Sequence, residues 1–373
     1  MRLIIEPADG VAPLLSAIER AKKSVEIAIF RLDRKDVETA LKAAAARGVR
    51  VTALIAFANR GGEKRLRQLE LRFLDAGIIV ARTSDDLTRY HGKYILIDRR
   101  VLYVLSFNFT HLDIERSRGF GVVTSQPSCL QEAANLFTAD CTRTAYAPKV
   151  ETFVVSPTNS RHVLGTFLKR ARKQLLIYDP MISDKEMLQI LRGRAKAGVE
   201  VKVIGKVPGG ATFEVQKLAG TRLHTRTIIR DRRQAFVGSQ SLRTAELNSR
   251  REVGLLIRDP KAVKKLIDTF ESDWARTSTK SRPAPPDTVD VPIEMPTAAS
   301  ASEIAKAVEV FTKELQPLAT TVKEAVRQAV AKAGDDVLHD KDVRDTMKQV
   351  VKQAVKEAVK DAVHEAQDAL PPR

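Results

Sequence analysis

Four side chains with complementary chemistry border two short apolar runs in the first third of the sequence. The imidazole of His91 and the ammonium of Lys93 precede the first run, and the hydroxyl of Ser106 and the carboxamide of Asn108 follow the second. Short continuous apolar runs of this kind are typical of buried strands. Paired strands would present the four groups at related ends, where a basic nitrogen, a cation and neutral donors suit a phosphoryl group.

The pattern occurs twice, as a histidine, a basic residue and an aspartate in the spacing H-x-K-x4-D or H-x-R-x4-D. In chain order the six residues are His91, Lys93, Asp98, His224, Arg226 and Asp231. A serine lies 15 residues after each histidine, at Ser106 and at Ser239. Residues 21–25 and 47–51 match segments 150 residues further on, whereas the two histidines are 133 residues apart. We infer an internal duplication whose second copy is shorter by 17 residues.

These paired motifs resemble those of the phospholipase D superfamily, whose members build one active site from two H-x-K-x4-D half-sites. The resemblance covers about the first 278 residues, and either motif alone would be a weak signal. Arg226 replaces the second lysine of the family, Leu105 the glycine that usually precedes the serine, and Ser241 the second asparagine. These departures bear on activity more than on fold. The motif aspartates, Asp98 and Asp231, join the candidate catalytic set, although the arginine-rich turns beside them also fit structural ion pairs.

Strand-like and helix-like segments alternate along both copies, which predicts an α/β fold. Helices are expected at 12–23, 37–46, 64–74, 163–173, 184–197 and 262–274. The resemblance implies two tandem phospholipase D-like sandwiches of mixed β-sheet flanked by helices. Composition places the first half at 1–147, the second at 148–278, a Pro-rich linker at 279–300 and a charged helical tail at 301–373.

Positive charge is concentrated in the repeated region. Residues 1–296 carry 51 Lys and Arg against 33 Asp and Glu, whereas residues 297–373 carry 12 against 13. A basic body suits a polyanionic partner, either an anionic lipid surface or nucleic acid, although the charge also fits a generally soluble basic surface. The tail has a weak stripe of small apolar residues, which fits either self-association or a solvated segment.

Several function classes are disfavoured by what the sequence lacks. No apolar run approaches 18 residues, and the apolar start is too short for a signal peptide. We therefore expect a cytoplasmic protein, with peripheral contact at the inner membrane face if its substrate is a lipid. Cys129 and Cys141 lack metal or redox spacing, which favours free thiols in a reducing compartment. No carboxylate cluster for a metal is apparent, and the resemblance likewise implies metal-independent chemistry without a cofactor.

A phosphodiester requires an attacking group and neutralisation of its oxygens. A neutral imidazole can attack phosphorus to give a phospho-histidine, and a second, protonated imidazole can donate a proton to the leaving alkoxide. One histidine from each copy fits these two roles. Lys93 and Arg226 would hold the non-bridging oxygens. Ser106, Asn108 and Ser239 would add neutral donors.

An acidic residue distinguishes the two histidines. The resemblance implies that an acid downstream of the opposite motif orients the attacking imidazole. Glu252 lies 28 residues after His224, and Gly119 occupies the equivalent position in the first copy. We therefore expect His91 to attack with Glu252 as its partner, and His224 to act as general acid without an acidic partner. The alternative is that Glu252 is a surface carboxylate beside two arginines.

Three functions remain open. The first is a phospholipid-acting enzyme that hydrolyses or transfers phosphatidyl groups, the second a metal-independent nuclease of the same superfamily, and the third a degenerate phosphodiester-binding protein without turnover. Aromatic residues are 5% of the chain, which disfavours a single-strand nucleic-acid binder that relies on stacking. The surroundings of 179–184 and of Glu252 look more like those of bacterial cardiolipin synthase-like proteins. The sequence therefore favours a phospholipase D-type phosphodiesterase or phosphatidyltransferase that acts on lipid.

Overall fold

Two mixed β-sheets, one from each copy of the duplication, form the framework of the molecule. The computed structural model describes residues 1–57 and 63–277. The linker predicted at 279–300 and the tail predicted at 301–373 lie outside the described residues. Both of these, and the boundary predicted between the halves at 147, remain predictions.

The first copy alternates strands and helices along the chain. Its strands are β1 (Arg2–Glu6), β2 (Ser24–Ile29), β3 (Arg50–Ile55), β4 (Ile79–Arg82), β5 (Arg89–Tyr90), β6 (Tyr94–Ile97), β7 (Val101–Leu105) and β8 (Ser117–Thr124). Its helices are α1 (Ala12–Glu19), α2 (Lys35–Ala46), α3 (Glu63–Asp75), α4 (His111–Glu115) and α5 (Pro127–Thr142). The sheet is ordered β1-β8-β7-β6-β2-β3-β4. Along this order, the β2–β3 and β3–β4 pairs are parallel and the other pairs are antiparallel.

The second copy follows the same plan. Its strands are β9 (Phe153–Val155), β10 (Gln174–Asp179), β11 (Glu200–Gly205), β12 (Glu214–Gln216), β13 (Arg222–Leu223), β14 (Arg226–Arg230), β15 (Gln234–Gly238), β16 (Arg250–Arg251) and β17 (Val253–Ile257). Its helices are α6 (Ser160–Lys169), α7 (Lys185–Lys196), α8 (Thr244–Asn248) and α9 (Pro260–Thr277). Written from its other end, the second sheet is ordered β9-β17-β15-β14-β10-β11-β12, which reproduces the order of the first sheet strand for strand. The predicted mixed α/β fold is therefore confirmed.

The motif strands β6 and β14 lie inside their sheets, each paired on both sides. All four residues of β6 are buried, which explains why the sequence is continuously apolar there instead of alternating. Because both strands are interior, their ends are fixed by neighbours on either side. A side chain placed at such an end is held in position by the sheet and not by a mobile loop.

The first helix of each copy is shorter than predicted. The sequence pattern predicted helices at 12–23 and 163–173, but α1 ends at Glu19 and α6 at Lys169. In both copies the two N–H groups after the helix still donate to helix carbonyls, and the three that follow donate to a motif aspartate instead of continuing the helix. The carboxylate of Asp98 accepts from residues 22, 23 and 24, and that of Asp231 from residues 172, 173 and 174.

The two copies exchange short strands just before their histidines. Strand β5 pairs in parallel with β16 of the second copy, and β13 pairs in parallel with β8 of the first sheet. The backbone N–H of His91 then donates to the carbonyl of Arg251 at 2.7 Å, and that of His224 donates to the carbonyl of Arg118 at 3.2 Å. His91 is therefore attached to the strand of the second copy that leads to Glu252. His224 is attached in the same way to the strand of the first copy that leads to Gly119.

Ion pairs across the copies reinforce this exchange. Arg118 donates from Nε to Asp273 on α9 at 2.7 Å, and Arg251 lies 3.1 Å from Asp140 on α5. All four side chains are buried. One apolar core combines residues from both sheets with α5 and α9, and the half-buried Trp274 packs against it. Among the described residues, no helix is long and apolar enough to cross a membrane.

Candidate active site

The imidazole of His91 is held from both of its nitrogens. Nδ1 lies 2.8 Å from Oε2 and 3.1 Å from Oε1 of Glu252, and Nε2 lies 2.7 Å from Nζ of Lys93. A protonated lysine can only donate, so Nε2 accepts and Nδ1 carries the proton that Glu252 accepts. The ring is therefore a neutral imidazole whose lone pair lies on the nitrogen that faces Lys93.

Electrostatics favour this protonation state. Burial, followed by the charges of Lys93 and Arg226, lowers the pKa of His91 well below its usual value. Burial also raises the pKa of Glu252, although the nearby Lys93 opposes that rise. Glu252 is fully buried, so the alternative of a surface carboxylate is wrong. Glu252 comes from the second copy and His91 from the first, in the crossed arrangement that the resemblance implied.

Lys93 is a buried cation whose charge depends on pH near neutrality. Burial lowers its pKa to about 7, with Glu252 opposing and Arg226 assisting the shift. Its ammonium also lies 5.5 Å from the ring centroid of Phe30, and that ring meets the His91 ring edge-on at 4.6 Å. An anionic ligand would stabilise the charged form of Lys93 and attract it away from the imidazole.

His224 occupies the matching position in the second copy but is held less firmly. Its Nδ1 lies 3.4 Å from Oδ2 of Asp113, within ion-pair range, yet that nitrogen has no hydrogen-bond partner. Burial lowers the pKa of His224 well below its usual value, and Asp113 partly opposes this shift. The prediction that His224 lacks an acidic partner is therefore wrong. The partner comes from the first copy, so both histidines are paired across the duplication.

Asp113 was missed by the sequence analysis. It lies on α4, where its backbone N–H donates to the N-cap hydroxyl of Thr110 at 3.2 Å. Its carboxylate accepts from Nδ2 of Asn108 at 2.7 Å and from Arg222 at 2.8 Å. Burial alone would raise the pKa of Asp113, but the charges of His224 and Arg222 and the Asn108 hydrogen bonds bring it down to about 2. Asp113 is therefore a carboxylate at neutral pH.

One sequence signal could have indicated Asp113. Glu246 lies 133 residues further on, the same offset that separates the two histidines. Each acid accepts a backbone N–H five residues earlier, Asp113 from Asn108 at 2.8 Å and Glu246 from Ser241 at 2.7 Å. A duplicated acid in a matched position is a stronger indication than a single aspartate, because chance does not preserve the offset.

The substituted residues of the second motif contact one another. Nε of Arg226 donates to the hydroxyl of Ser241 at 3.2 Å, and one terminal nitrogen donates to the carbonyl of His224 at 2.8 Å. Arg226 thus keeps a positive charge at the site but is attached to its own loop, whereas Lys93 contacts the histidine ring. The two departures from the family pattern, Arg226 and Ser241, are thus hydrogen-bonded to each other.

The third departure is also accommodated locally. Leu105 faces Gly121 on the neighbouring strand β8, and the equivalent pair in the second copy is Gly238 and Gly254. A Cβ atom at Gly121 would lie 2.8 Å from Cδ2 of Leu105. The side chain of Leu105 therefore fills the space that Gly121 leaves open. It does not lie among the side chains that surround His91 and His224.

The predicted phosphate-binding serines are fully buried and join strands. The hydroxyl of Ser106 accepts the backbone N–H of Phe120 at 2.9 Å, and that of Ser239 accepts the backbone N–H of Val253 at 3.1 Å. Both contacts fix the strand that follows, β8 or β17. Asn108 donates to Asp113, while its own carbonyl oxygen is buried without a hydrogen-bond partner. Phosphate binding by these three side chains remains a prediction.

Asp98 and Asp231 do not join the histidines. They follow β6 and β14 at the ends opposite Lys93 and Arg226, and each accepts three backbone N–H groups. We correct their assignment as candidate catalytic residues, because their carboxylates are used to hold a turn. The competing interpretation as ion pairs is corrected too, since the donors are backbone amides.

Both copies contribute charge to one site. The charges of Lys93 and Arg226 act on each of the two histidines, and Asp113 and Glu252 each cross to the opposite copy. Across the described ranges, 1–57 and 63–277, no three His, Cys, Asp or Glu side chains are grouped so that they could hold a metal ion. The arrangement can supply a nucleophilic nitrogen, a second imidazole and two cations to a phosphoryl group.

Comparison with known proteins identifies the family. Residues 14–141 and 206–274, together more than half of the chain, match the family described as cardiolipin synthase, PLD-like domain. The chain therefore belongs to this family, within the phospholipase D superfamily. Among curated proteins, none matches the chain by sequence.

Two solved structures with TM-scores above 0.5 share the fold, and a third matches a shorter part of the chain. Polyphosphate kinase from Porphyromonas gingivalis is 21% identical with a TM-score of 0.61, over 73% of this chain and 50% of that one, so the match spans half the length of the kinase. Phosphatidylserine synthase from Haemophilus influenzae Rd KW20 is 10% identical with a TM-score of 0.55, over 74% of this chain and 86% of that one. The phospholipase D family member Nuc from Salmonella typhimurium is 25% identical over 39% of this chain and 95% of that one, with a TM-score of 0.35.

Proposed function

We propose that this chain is a phosphodiesterase that forms a covalent phospho-histidine on His91 and hydrolyses or transfers phosphatidyl groups of phospholipids. The observation that supports it most is the hydrogen-bonded line from Glu252 through His91 to Lys93. It fixes a neutral imidazole with its lone pair beside a cation. Membership of the cardiolipin synthase-like family supports lipid over nucleic acid, and the fold shared with a phosphatidylserine synthase agrees with that choice.

In the first step, Nε2 of His91 attacks phosphorus while the bond from phosphorus to the leaving-group oxygen breaks. The negative charge of the bound phosphodiester attracts the ammonium of Lys93 from Nε2 to a non-bridging oxygen, which frees the lone pair. The same negative charge adds to that of Asp113, which partly opposes the lowering of the His224 pKa by burial. His224 then binds a proton and passes it to the departing alkoxide.

In the second step, a water or an alcohol gives a proton to the neutral His224 and attacks phosphorus. The nitrogen–phosphorus bond breaks, and His91 regains its lone pair. Lys93 and the guanidinium of Arg226 neutralise the non-bridging oxygens in both steps. Water yields hydrolysis, and an alcohol yields transfer of the phosphatidyl group.

We propose peripheral contact with an anionic bilayer as the way the protein reaches such a substrate. The excess of Lys and Arg over Asp and Glu in residues 1–296 supports electrostatic attraction to anionic head groups.

Association of two chains through the region from 301 is a separate proposal. It is checked by comparing the oligomeric state of the full chain with that of a chain ending near Lys280.

Purified full-length protein should be tested on vesicles of phosphatidylglycerol, cardiolipin, phosphatidylethanolamine and phosphatidylcholine, and in parallel on DNA and RNA. We expect turnover of at least one phospholipid, and an acid-labile, alkali-stable label on His91 after rapid quenching with a labelled p-nitrophenyl phosphodiester. Turnover of nucleic acid alone would assign the nuclease function. Absence of label and turnover with every substrate would leave phosphodiester binding without catalysis.

The same assay tests the predicted independence from metal. We expect the rate to survive EDTA, because the two cations that face the phosphoryl group are side chains of the protein. Complete loss of the rate in EDTA, restored by a divalent ion, would contradict the mechanism above.

A further inference from the structure

A basic cavity lies in the second copy, away from the histidines. It has a volume of about 510 Å³ and is lined by Lys169, Arg170, Ala171, Arg172, Arg194, Arg230 and Asp231. Arg230 is the last residue of β14 and Arg226 the first, so about 13 Å of strand separates the cavity from the candidate active site. A cavity of this size accommodates a small ligand.

Two of the arginines are held in place. The guanidinium of Arg230 donates to the carbonyl of Phe167 at 2.9 Å and lies 4.3 Å from the centroid of its ring. Arg194 donates to the carbonyl of Lys169 at 3.3 Å. The other terminal nitrogen of Arg230 donates to Gln234. Arg230 therefore uses two of its five N–H donors and Arg194 uses one, so further donors remain on both groups for a ligand. Fixed guanidiniums lose little side-chain entropy when they bind an anion.

Carboxylates do not balance this charge. The lining contains five cationic side chains and one carboxylate, Asp231, which already accepts three backbone N–H groups. Within the part of the chain that the structure describes, Lys169, Arg170 and Arg172 form no ion pair. Burial lowers the pKa of Arg230, and the charge of Arg170 adds to that effect while Asp231 opposes it. Bringing like charges together costs free energy unless an anion offsets it.

The first copy shows that the fold does not require two of these cations. Glu19 stands at the position of Lys169 and Ile97 at that of Arg230. The helix end itself is satisfied in both copies, since Arg47 donates to the carbonyl of Glu19 at 3.0 Å much as Arg194 does to that of Lys169. The extra positive charge in the second copy is therefore not needed to cap the helix.

We propose that this cavity, the basic cavity of the second copy, binds an anion that carries more than one phosphate charge. The source of the phosphate is either a soluble polyphosphorylated compound or the head groups of an anionic lipid. Fixed guanidinium forks suit phosphate oxygens. The site is separate from the one where catalysis is proposed, so its occupation does not depend on turnover.

The test measures the affinity of the full-length chain for inorganic tripolyphosphate by calorimetry. The variant Lys169→Glu with Arg230→Ile carries the first copy's residues at these two positions. We expect it to weaken binding by at least about tenfold, because it removes two cations and adds an anion. The matched control, Arg20→Ala with Lys22→Ala in the first copy, should leave the affinity unchanged. Lys169→Glu alone, at an exposed position, serves if the double variant does not fold.

Further binding and displacement experiments decide which site holds the tripolyphosphate and whether the natural ligand is a lipid head group or a soluble anion. Lys93→Met should retain tripolyphosphate binding, and loss of binding only in that variant would place the anion at the histidines and overturn the proposal. Unchanged affinity in the Lys169→Glu, Arg230→Ile variant, or no binding by the unaltered protein, would also overturn it. Displacement of tripolyphosphate by phosphatidic acid vesicles, but not by phosphatidylcholine vesicles, would assign a lipid head group. Failure of both to displace it would assign a soluble anion.

Discussion

The two half-sites share a plan but differ in how firmly they hold their histidines. In the first, His91 has short contacts on both nitrogens, to Glu252 at 2.8 Å and to Lys93 at 2.7 Å. In the second, His224 has one acidic neighbour at 3.4 Å, and the basic residue is attached to its own loop. A nucleophile needs one fixed tautomer, whereas a proton donor and acceptor must change its protonation state in each step. The asymmetry therefore matches a division of labour between the copies.

A packing difference explains why the acid partners occupy different positions. In the first copy, a Cβ atom at Gly119 would lie 2.8 Å from Cδ1 of Phe107, so no acid can stand there while the phenylalanine does. Gln240 occupies the matching position in the second copy, and Glu252 fits beside it. The first copy instead supplies Asp113, from the helix that follows. Two different positions thus provide one carboxylate to each histidine.

The largest expected effect separates the two histidines. His91→Ala should lower turnover by at least about 10³-fold and abolish the covalent phospho-enzyme, because it removes the attacking nitrogen. His224→Ala should still form the intermediate from a p-nitrophenyl phosphodiester, whose leaving group needs little protonation, and should then stall. Rapid quench in alkaline detergent, followed by peptide mapping at alkaline pH, measures both results. Label on His224 in the His91→Ala variant would reverse the assignment.

Smaller effects are expected when the two acidic partners, Glu252 and Asp113, are neutralised, and the two variants should slow different steps of the reaction. Glu252→Gln should slow formation of the intermediate by about 10²-fold, because the tautomer of His91 is less firmly fixed. Asp113→Asn should slow mainly the steps that use the proton of His224. It should also destabilise the fold by about 3 kcal/mol, because Arg222 loses the charge of a buried partner.

Single-turnover kinetics and thermal unfolding of both variants measure this contrast. Ser117→Ala removes only the neutral hydroxyl that also contacts Arg222 at 3.1 Å, so it serves as a control for loss of packing near that guanidinium. Equal effects of the two acid variants on each step would contradict the proposed division of labour.

The pH dependence of the reaction rate should change when Lys93 of the first half-site is replaced by arginine. The pKa of Lys93 is lowered to about 7, so its positive charge is present below that pH and is lost as pH rises through it. We expect kcat/KM to fall above about pH 7, and kcat to fall at higher pH because a bound phosphodiester stabilises the ammonium. Lys93→Arg should be slower but should lose the alkaline decline, because an arginine remains charged. An unchanged alkaline limb in that variant would show that another group titrates.

The sequence predicted the parts of this site that depend on spacing along strands. The repeated motif indicated two interior strands with His91 and His224 at related ends, and the family resemblance placed Glu252 beside His91. Asp113 was not predicted, because it reaches His224 through a contact between a helix and the opposite copy. Spacing within one motif carries no information about such a contact. It was detectable only as a match with Glu246 across the duplication.

Aspartates at the ends of the motif strands were misassigned for a related reason. A motif records which residues recur, but it does not distinguish those that touch a substrate from those that shape the chain. The same carboxylates prevent the predicted helices from extending through residues 23 and 173, because they accept the N–H groups of those residues. Local helical spacing through residue 23 or 173 could not reveal an acceptor that lies 75 or 58 residues further along the chain.

The smallest expected difference between the copies concerns these two aspartates. Asp98 and Asp231 make nearly the same contacts, with shortest bonds of 2.6 Å and 2.7 Å to a backbone N–H, and both have left-handed φ values near 50°. Asparagine tolerates that conformation, so Asp→Asn at either position removes the charge without straining the turn. We expect each variant to lose about 1 kcal/mol of stability, a decrease in Tm of about 2–4 °C, with turnover unchanged.

Acid sensitivity provides the second readout for this pair. Burial alone would raise the pKa of each aspartate, but the three backbone donors outweigh it and lower the pKa. A lowered folded pKa contributes stability above the unfolded value near 4, and this contribution is lost as pH falls below it. The difference in Tm between the unaltered protein and either variant should therefore shrink below about pH 4. If Asp98→Asn or Asp231→Asn instead abolished turnover at full thermal stability, that aspartate would belong to the catalytic group, and the two ends of the motif strand would no longer differ in role.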